Sequence, residues 1–439
     1  MRFYEIDGGY ILRGEIDVSG SKNATLPIIA ATLLNEGISV IRNVPDIRDV
    51  KMMCSILRKI GCKITREKDV LIIDATTITS SQIPEDLMRE MRSSVIIVGA
   101  MLGRQKECIF TYPGGCEIGS RPINLHLDAF KLMGVDVVEQ NGNIECKVGE
   151  LVGTEIVLDF PSVGATENIM LASVLSDGVT YIKNVAREPE IVCLQDFLNS
   201  MGADIKGAGT NTIKIRGVKK LHDTEFAIIS DRIEAGTYMC MVAATKGELV
   251  LNNVCVEHVA AVIHKLKQMN CKVHTYKNKI KLDANRPLKS TNIKTMPYPG
   301  FPTDMQSQFV TTLALAEGTS IIVENIFENR FKYIPELIKM GANITVEGTT
   351  AIVQGIDTYS SANVQAKDLR GGAALIEAAL VANGISKIEG IEFVERGYEN
   401  LVKKLSILGA KIRKQWYNVT DRFIRGVKGR EIALELLLI

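Results

Sequence analysis

One short pattern, a helix that ends at a glycine or asparagine and leads into a strand, recurs six times along the chain. A glycine or asparagine directly after a helix is typical of a left-handed cap. The six copies are LRKIGCKI (57–64), FKLMGVDV (130–137), LNSMGADI (198–205), LKQMNCKV (266–273), LIKMGANI (337–344) and LSILGAKI (405–412). Their turn residues are 68 to 73 positions apart, so the chain consists of six copies of one unit.

Each unit contains more than this signature. In the third unit, the strand TEIVLDF precedes the helix NIMLASVL, and the strand VTYIKNV precedes the helix that ends at Gly202. The pattern predicts β-α-β-α-β-β over about 70 residues, with right-handed β-α-β crossovers. The period is longer than the roughly 20–50 residues of solenoid repeats, so each unit is expected to be a small α/β fold.

Six such units exceed one hydrophobic core, and we expect two α/β domains of three units each. Strand 1 of the first unit begins near Gly14, which leaves residues 1–13 to pair with either domain. The alternative of six independent small domains is disfavoured, because no linker rich in proline, serine or glycine separates the units.

The composition excludes several classes of function. With 52 basic and 51 acidic residues the net charge is +1, which argues against bulk binding to nucleic acid or to a membrane surface. No apolar run approaches the roughly 18 residues of a transmembrane helix, and the opening MRFYEIDGGY has no secretory apolar region. Nine cysteines without a CxxC pair disfavour a disulfide framework or zinc site and predict a cytoplasmic protein.

Basic residues occur at equivalent points of the units, where a strand is followed by a helix or loop. Helix N-termini there favour anions, and α/β folds bind ligands beyond the carboxyl ends of their strands. We expect these side chains to converge on one anionic ligand from both domains: Lys22, Arg92, Arg121, Arg232, Arg370 and Arg396. The alternative is solvated arginines beside ordinary N-caps. A cation at a helix N-terminus is unfavourable by itself, so the recurrence favours a ligand.

The second unit carries an insertion at the ligand-facing end. Its segment from Thr111 to Gly134 spans 23 residues, against 16 to 19 in the other five units. The extra residues belong to PGGCEIGSRPINLH, and a glycine-rich insertion at this end predicts a mobile lid. Cys116 on the lid, near Arg121, is predicted to be a reactive thiol. His126, at the end of the lid, could be functional or structural.

These motifs make the chain similar to the enolpyruvyl transferase family. The matching stretches are GSKNATLPI, MRSSVIIVGAMLGR, PGGCEIGSRPINLH, SVGATENIM, AREPEI, DRIEAGT, FPTDMQSQF, ENRF, DLRGGAAL and ERGYE, in order from about residue 5 to about residue 413. The pair Lys22–Asn23 and the cysteine of PGGC resemble the branch that acts on UDP-N-acetylglucosamine. The branch that acts on shikimate 3-phosphate has neither in this form.

The resemblance implies a two-domain inside-out α/β barrel built from six β-α-β-α-β-β repeats, three per domain, with ligands in the cleft between the domains. It also implies that the first strand belongs to the second domain. The expected division is 1–20 packed with the second domain, 21–229 as the first domain, 230–413 as the second domain, and an unassigned extension at 414–439.

The activity that the resemblance implies is transfer of the enolpyruvyl group of phosphoenolpyruvate to the 3'-hydroxyl of UDP-N-acetylglucosamine. Phosphate is released through a tetrahedral phospholactoyl intermediate, in the first committed step of peptidoglycan synthesis. The implied reaction needs no metal and no organic cofactor. Its partners are these two small molecules, without nucleic acid or membrane insertion, and the oligomeric state stays open.

The resemblance also implies roles for the matching residues. Cys116 would deliver a proton to the vinyl carbon or take part in product release, and would be alkylated by fosfomycin. Asp304 would take the hydroxyl proton, Lys22 would be the third catalytic residue, and Asp368 would help to hold the closed state. The residues implied to hold phosphoenolpyruvate are Lys22, Asn23, Arg121, Arg370 and Arg396. Those implied to bind UDP-N-acetylglucosamine are Asn23, Arg92, Arg121, Pro122, Ile123, Asn124, Leu125, Phe160, Pro161, Ser162, Val163, Asp304 and Ile326.

Two features depart from the family pattern. Phe160 stands where some members carry lysine, and the extension after residue 413 passes the usual end. Two other functions remain open: enolpyruvyl transfer to another acceptor such as shikimate 3-phosphate, and a silent relative that only binds nucleotide sugar. The Lys-Asn pair and the lid cysteine argue against the first, and the intact set of matching residues argues against the second.

Overall fold

The structure, a computed structural model, describes residues 2–114, 118–119 and 122–416. The predicted lid residues Cys116 and Arg121 lie outside the described residues, and so does the part of the C-terminal extension beyond Trp416.

The strands, in chain order, are β1 (Arg2–Asp7), β2 (Arg13–Asp17), β3 (Ile38–Arg42), β4 (Lys63–Glu67), β5 (Val70–Asp74), β6 (Glu107–Thr111), β7 (Asp136–Gln140), β8 (Asn143–Lys147), β9 (Glu155–Val157), β10 (Val179–Lys183), β11 (Asp204–Lys206), β12 (Thr212–Arg216), β13 (Thr224–Ala227), β14 (Glu248–Asn252), β15 (Lys272–Tyr276), β16 (Lys279–Asp283), β17 (Ile293–Lys294), β18 (Thr319–Val323), β19 (Asn343–Glu347), β20 (Thr350–Gln354), β21 (Asn363–Gln365), β22 (Ile385–Glu389) and β23 (Lys411–Trp416).

The helices are α1 (Lys22–Ala31), α2 (Arg48–Lys59), α3 (Glu85–Glu90), α4 (Ile97–Gln105), α5 (Asn124–Leu132), α6 (Val163–Ser173), α7 (Pro189–Ser200), α8 (Arg232–Ala244), α9 (Ala260–Gln268), α10 (Gln306–Leu313), α11 (Ile334–Lys339), α12 (Leu369–Val381), α13 (Ile391–Val394) and α14 (Leu401–Ile407). Short 3-10 helices lie at Thr32–Leu34, Arg92–Ile96, Glu257–Val259 and Thr303–Met305. Within the described ranges, no helix is long and apolar enough to cross a membrane.

The third unit shows the arrangement that the repeats share. β9 runs parallel to β10, β12 and β11 follow antiparallel, and the sheet order is β9-β10-β12-β11. α6 connects the parallel pair, and α7 connects β10 to β11. The fifth unit repeats this order with β17, β18, β20 and β19.

The second unit departs from the predicted β-α-β-α-β-β pattern. Its sheet has the order β6-β8-β7, and its first strand is reduced to one bridge between Gln82 and Ile109. Pro84 follows two residues later and precedes α3. Because proline has no N–H to donate to a strand ladder, this strand cannot continue.

β1, which the repeat pattern left unassigned, pairs with both β22 and β23 and becomes the fourth strand of the sixth unit. Two other strands lie in a sheet other than the one predicted from their position in the repeats. The repeat pattern made β2 strand 1 of the first unit, whereas the resemblance assigned residues 1–20 to the second domain; β2 pairs in parallel with β14 of the fourth unit. β13 pairs in parallel with β3 of the first unit instead. The two strands are exchanged because the chain crosses between the two halves immediately after each of them.

Two hydrophobic cores result, and they define the two domains named below. The first contains residues from Ala24 to Ile228. The second contains residues from Tyr4 to Val18 and from Ile233 to Ile412. In the first core, the packed helices α1, α4 and α6 lie at the centre with the sheets outside. α8, α10 and α12 take the same place in the second core. We propose that the domain boundaries fall at 20/21 and 229/230, between these cores.

The two crossings of the chain are held side by side. Gly20 and Ser230 form an antiparallel bridge, and Ser21 N–H donates to the carbonyl of Ile229 at 2.8 Å. Gly20 must be a glycine, because a Cβ there would lie 1.7 Å from the carbonyl oxygen of Asn43. This close approach packs the first crossing against the turn after β3, and the bridge to Ser230 holds the starts of α1 and α8 together.

One acid is buried in the second core, between α10 and α12. Glu377 on α12 is fully buried, and the Thr312 hydroxyl on α10 donates to its Oε1 at 2.5 Å. Its Oε2 has no hydrogen-bond partner among the described residues. Burial raises the pKa of Glu377 well above its ordinary value, so the folded protein keeps this carboxyl protonated.

The substitution Glu377→Gln is expected to remove a pH-dependent loss of stability. The unfolded carboxyl ionises above about pH 4.3, whereas the folded one stays protonated, so unfolding releases a proton. The free energy of unfolding therefore falls as pH rises, by up to about 1.4 kcal/mol per pH unit. Urea unfolding at pH 5 and pH 7 should show a smaller fall for Glu377→Gln than for the wild type. The exposed control Glu67→Gln should follow the wild type, and equal falls in all three proteins would contradict the assignment.

Candidate active site

A cleft of about 530 Å³ lies between the two domains. It is lined by the points where strands lead into helices, because α1 and α6 begin there from the first domain and α8 and α12 from the second. Asp231 links two of these helix starts. Its carboxylate caps α8 by accepting from the N–H groups of Ile233 and Glu234, and it also accepts from Lys22 N–H at 3.0 Å.

A buried carboxylate joins two predicted cations from opposite domains. Asp49, in the first turn of α2, accepts from Lys22 Nζ at 2.9 Å and from Arg396 Nε at 2.9 Å. Burial would raise the pKa of Asp49, but Lys22 and Arg396 lower it below its ordinary value. Burial lowers the pKa of Lys22, and the attraction of Asp49 opposes this effect. Asp49 therefore stays ionised and helps to keep Lys22 charged.

The predicted base lies among a second group of cations. Asp304 Oδ1 accepts from Arg330 Nη2 at 2.7 Å, and its Oδ2 accepts from Arg370 Nη2 at 3.0 Å. The guanidinium of Arg370 also lies over the ring of Tyr398. Burial would raise the pKa of Asp304, but Arg370, Arg330 and Lys22 together lower it far below its ordinary value. Asp304 lies inside a short 3-10 helix whose N-cap is Pro302, so it is not a helix cap.

Asp368 has a structural contact that explains the placement of Arg370. Its Oδ1 accepts from the N–H groups of Arg370 and Gly371 at 3.0 and 2.9 Å, which caps α12. The cap fixes the first turn of this helix and so directs Arg370 towards Asp304. A role for Asp368 in domain closure stays a prediction.

The first-domain wall contains most of the residues implied to bind a nucleotide sugar. Those that line the cleft are Asn23, Arg92, Pro122, Asn124, Leu125, Phe160, Pro161, Ser162 and Val163. Ser162 caps α6 by accepting from Ala165 N–H at 3.3 Å. Ile123 differs, since its side chain is buried in the first core. From the second domain, Ile326 lines the cleft and its N–H donates to Glu324.

The residue Phe160 is 43% exposed at this wall, so it presents an apolar side chain where lysine would present a charge.

The described lid residues reach the second domain. The carbonyl of Ile118 accepts from Asn329 N–H at 3.0 Å. Cys116 and Arg121 lie outside the described residues, so their predicted roles stay predictions.

His126 is buried, and its Nδ1 lies 2.8 Å from the Asn168 side-chain amide. The amide oxygen of Asn168 accepts from Gly99 N–H at 2.7 Å, so its nitrogen is the donor to the histidine. This contact holds the His126 ring in place, and the residue also lines the cleft.

The six cations predicted to converge form more than one group. Lys22 and Arg396 meet at Asp49, and Arg370 lies at Asp304. Arg232 instead pairs with Glu190 of the first domain at 2.9 Å. Arg92 also lines the cleft, and its Nη1 donates to the carbonyl of Pro113 at 3.4 Å.

Sequence reasoning missed the two partners that organise these groups, Asp49 and Arg330. An acid in the first turn of a helix is common because it suits the helix dipole, so Asp49 carried no distinct signal. Arg330 lies in the matching stretch ENRF but was not counted among the converging cations. Arg330 occupies the position in its unit that Arg396 occupies in the next unit, and this equivalence was the signal that could have identified it.

Among the described residues, no three His, Cys, Asp or Glu side chains are grouped so as to hold a metal ion.

A sequence model of EPSP synthase (3-phosphoshikimate 1-carboxyvinyltransferase) matches residues 6–405. The chain belongs to this family of enolpyruvyl transferases. A UDP-N-acetylglucosamine 1-carboxyvinyltransferase of Caldanaerobacter subterraneus is 54% identical over 410 residues, which are 93% of this chain and 98% of the relative. Another, from Carboxydothermus hydrogenoformans, is 48% identical over 414 residues, 94% of this chain and 98% of the relative.

Solved structures of enolpyruvyl transferases have the same fold. The enolpyruvyl transferase NikO from Streptomyces tendae superposes with a TM-score of 0.86 at 25% identity, covering 95% of this chain and 99% of NikO. EPSP synthase from Acinetobacter baumannii superposes with a TM-score of 0.73 at 21% identity, covering 94% of this chain and 100% of that protein. The predicted family and the predicted inside-out α/β fold are confirmed.

The substitution Asp49→Asn is expected to lower the pKa of Lys22 further, because it removes the charge that opposes burial. Lys22 would then lose its proton at a lower pH, and the cleft would lose affinity for anions at a lower pH. Calorimetric titration with inorganic phosphate between pH 7 and pH 9 should show this displacement of the binding profile. Asp46→Asn, which removes an exposed carboxylate nearby, should leave the profile in place. Coinciding profiles for wild type and Asp49→Asn would contradict the role assigned to Asp49.

Proposed function

We propose that the chain transfers the enolpyruvyl group of phosphoenolpyruvate to the 3'-hydroxyl of UDP-N-acetylglucosamine and releases phosphate. The observation that carries this proposal is that two clusters of charged side chains lie in one cleft. In one cluster Lys22 and Arg396 contact Asp49, and in the other Arg330 and Arg370 contact Asp304. Relatives that are 43–54% identical are named for this reaction. It is the first committed step of peptidoglycan synthesis, and we place the protein in the cytoplasm, where both substrates are made.

Phosphoenolpyruvate carries a phosphate and a carboxylate, and the cleft offers cations from both domains for them. Lys22 enters from the first domain, and Arg370 and Arg396 enter from the second. Guanidinium groups bind such anions through paired, charge-assisted hydrogen bonds. Asn23 lines the cleft next to Lys22, and Arg121 completes the set that the family resemblance implies. Because the cations come from two domains, binding of this substrate favours a closed cleft.

The nucleotide sugar lies along the first-domain wall. The N-terminus of α6 at Ser162 and Val163 supplies free N–H groups and the positive end of a helix dipole, which suit the diphosphate. Phe160 offers an exposed ring at the same wall, suited to stacking on the uracil base. Ile326 and Asp304 approach from the second domain, so the sugar is held at the domain interface.

Asp304 takes the proton of the sugar hydroxyl. Its two arginines keep it ionised, so it is always available but intrinsically weak as a base. It therefore acts by position and receives the proton late, as the sugar oxygen bonds to C2 of phosphoenolpyruvate and a proton is added to C3. Cys116 is the predicted donor of that proton. Loss of a proton from C3 and departure of phosphate then restore the double bond.

The identity of the acceptor is tested by measuring phosphate release from phosphoenolpyruvate with two acceptors. UDP-N-acetylglucosamine should support turnover, and shikimate 3-phosphate should not. Turnover with shikimate 3-phosphate alone would favour the other branch of the family. Binding of UDP-N-acetylglucosamine without any turnover would identify a silent relative.

The substitution Asp304→Asn is expected to reduce turnover by about 10²-fold or more, because it removes the base. It should also lower the melting temperature, since Arg330 and Arg370 lose the carboxylate that they share. Asp304→Glu keeps the charge and moves the carboxylate by about one bond length, so it should retain more stability than Asp304→Asn while still losing turnover. Steady-state kinetics well below both melting temperatures separates the effects. Turnover of Asp304→Asn within a few-fold of wild type would show that another group takes the proton.

A further inference from the structure

The cleft has an acidic wall that the reaction described above does not use. Glu167 on α6, together with Glu188 and Glu190 at the start of α7, lines the cleft beside Arg232 and Tyr298 of the second domain. The guanidinium of Arg232 lies over the ring of Tyr298 and pairs with Glu190 Oε1. Two carboxyl groups of the wall, those of Glu188 and Glu190, therefore act on this cation.

Two oxygen atoms of this wall are buried without a donor. Glu188 Oε2 and Glu190 Oε2 have no hydrogen-bond partner in the part of the chain that the structure describes. The Glu190 residue is 2% exposed. Buried polar atoms in native proteins are almost always paired, so two unpaired acceptors in the wall of a cleft indicate a missing donor.

The third carboxyl of the wall behaves differently. Burial, and then the charges of Glu190 and Glu188, raise the pKa of Glu167 well above its ordinary value. This shift favours the protonated form of Glu167, and burial also raises the pKa of Glu188. The unpaired acceptors of the wall are the Oε2 atoms of Glu188 and Glu190.

The acidic wall lies next to the base that faces the reacting hydroxyl. Burial opposes the charge of Arg232, yet Glu190, Glu188 and Asp304 together raise the pKa of this arginine. The Arg232 guanidinium thus interacts electrostatically with both the acidic wall and Asp304. Glu188, Glu190, Arg232 and Asp304 all line the same cleft, so a ligand group that contacts the wall shares the cleft with the proposed base.

We propose that Glu188 and Glu190 form a subsite that accepts hydrogen bonds from neutral donor groups on the sugar ring of the acceptor. The proposal rests on the function given above, because it assigns the part of the acceptor nearest Asp304. Phosphates and carboxylates are repelled by these carboxyl groups, and a hydroxyl or an amide N–H is the donor that a sugar supplies. A site built for such a donor rejects an analogue that lacks it, because its own buried acceptors are then left unpaired.

The test is a binding cycle between the protein and the sugar. Calorimetry would measure the affinity of wild type and of Glu188→Gln for UDP-N-acetylglucosamine and for analogues that lack the 4-hydroxyl, the 6-hydroxyl or the acetamido group. Loss of a hydrogen bond to a charged acceptor should weaken binding of the parent sugar by about 10- to 100-fold in Glu188→Gln. One analogue should bind equally to wild type and to Glu188→Gln. That analogue lacks the donor group that contacts Glu188, so the hydrogen bond is absent from both complexes. Glu190→Gln should show the same non-additivity and also loosen Arg232.

The exposed control Glu225→Gln, which removes a partner of Arg42, should bind every ligand as the wild type does. Phosphoenolpyruvate affinity should be unchanged in Glu188→Gln, which a general structural defect would not allow. The subsite would be overturned, and the proposed function left intact, if Glu188→Gln bound UDP-N-acetylglucosamine with unchanged affinity. The same would follow if, for every analogue, the affinity lost through Glu188→Gln simply added to the affinity lost through the missing ligand group. Failure of the wild type to bind or convert UDP-N-acetylglucosamine would overturn both.

Discussion

The carboxylate of Asp231 joins the N-termini of two helices that belong to different domains, and the geometry of the cleft depends on this contact. It caps α8 and also accepts a hydrogen bond from Lys22 N–H, the first residue of α1. Since α1 and α8 start at one carboxylate, Lys22 and Arg232 enter the cleft side by side from opposite domains. The bridge between Gly20 and Ser230 holds the two crossings of the chain together beneath them.

The charges of the cleft are arranged as shared carboxylates. Lys22 and Arg396 share Asp49, and Arg330 and Arg370 share Asp304. A cation withdrawn from water needs a partner, and here each carboxylate serves two. These four cations therefore keep an excess positive charge that an anionic substrate can use, while each of the four has a counterion.

The repeat made much of the fold predictable. Helix caps and strand alternation depend on residues only a few positions apart, so the six units could be counted in the chain. The exchange of β2 and β13 was not predictable in the same way, because a strand's own sequence does not state which neighbour it pairs with. The first strand of the second unit is reduced to a single bridge at Gln82, because Pro84 and α3 follow it. Pro84 was a local signal for this shortening, but the prediction followed the repeat pattern instead.

For the candidate site, the sequence by itself determined the types of side chain and their phase in the units. Lys22 and Arg370 could be singled out because each follows a strand at the same end of its unit, whereas Asp304 was named through the family resemblance. Only the tertiary structure decided which charges meet. Asp49 and Arg396 are 347 positions apart, and their pairing depends on two domains that face each other across the crossing strands. Local sequence sets backbone conformation through nearby atoms, whereas charge pairing depends on distances that exist only after both cores have formed.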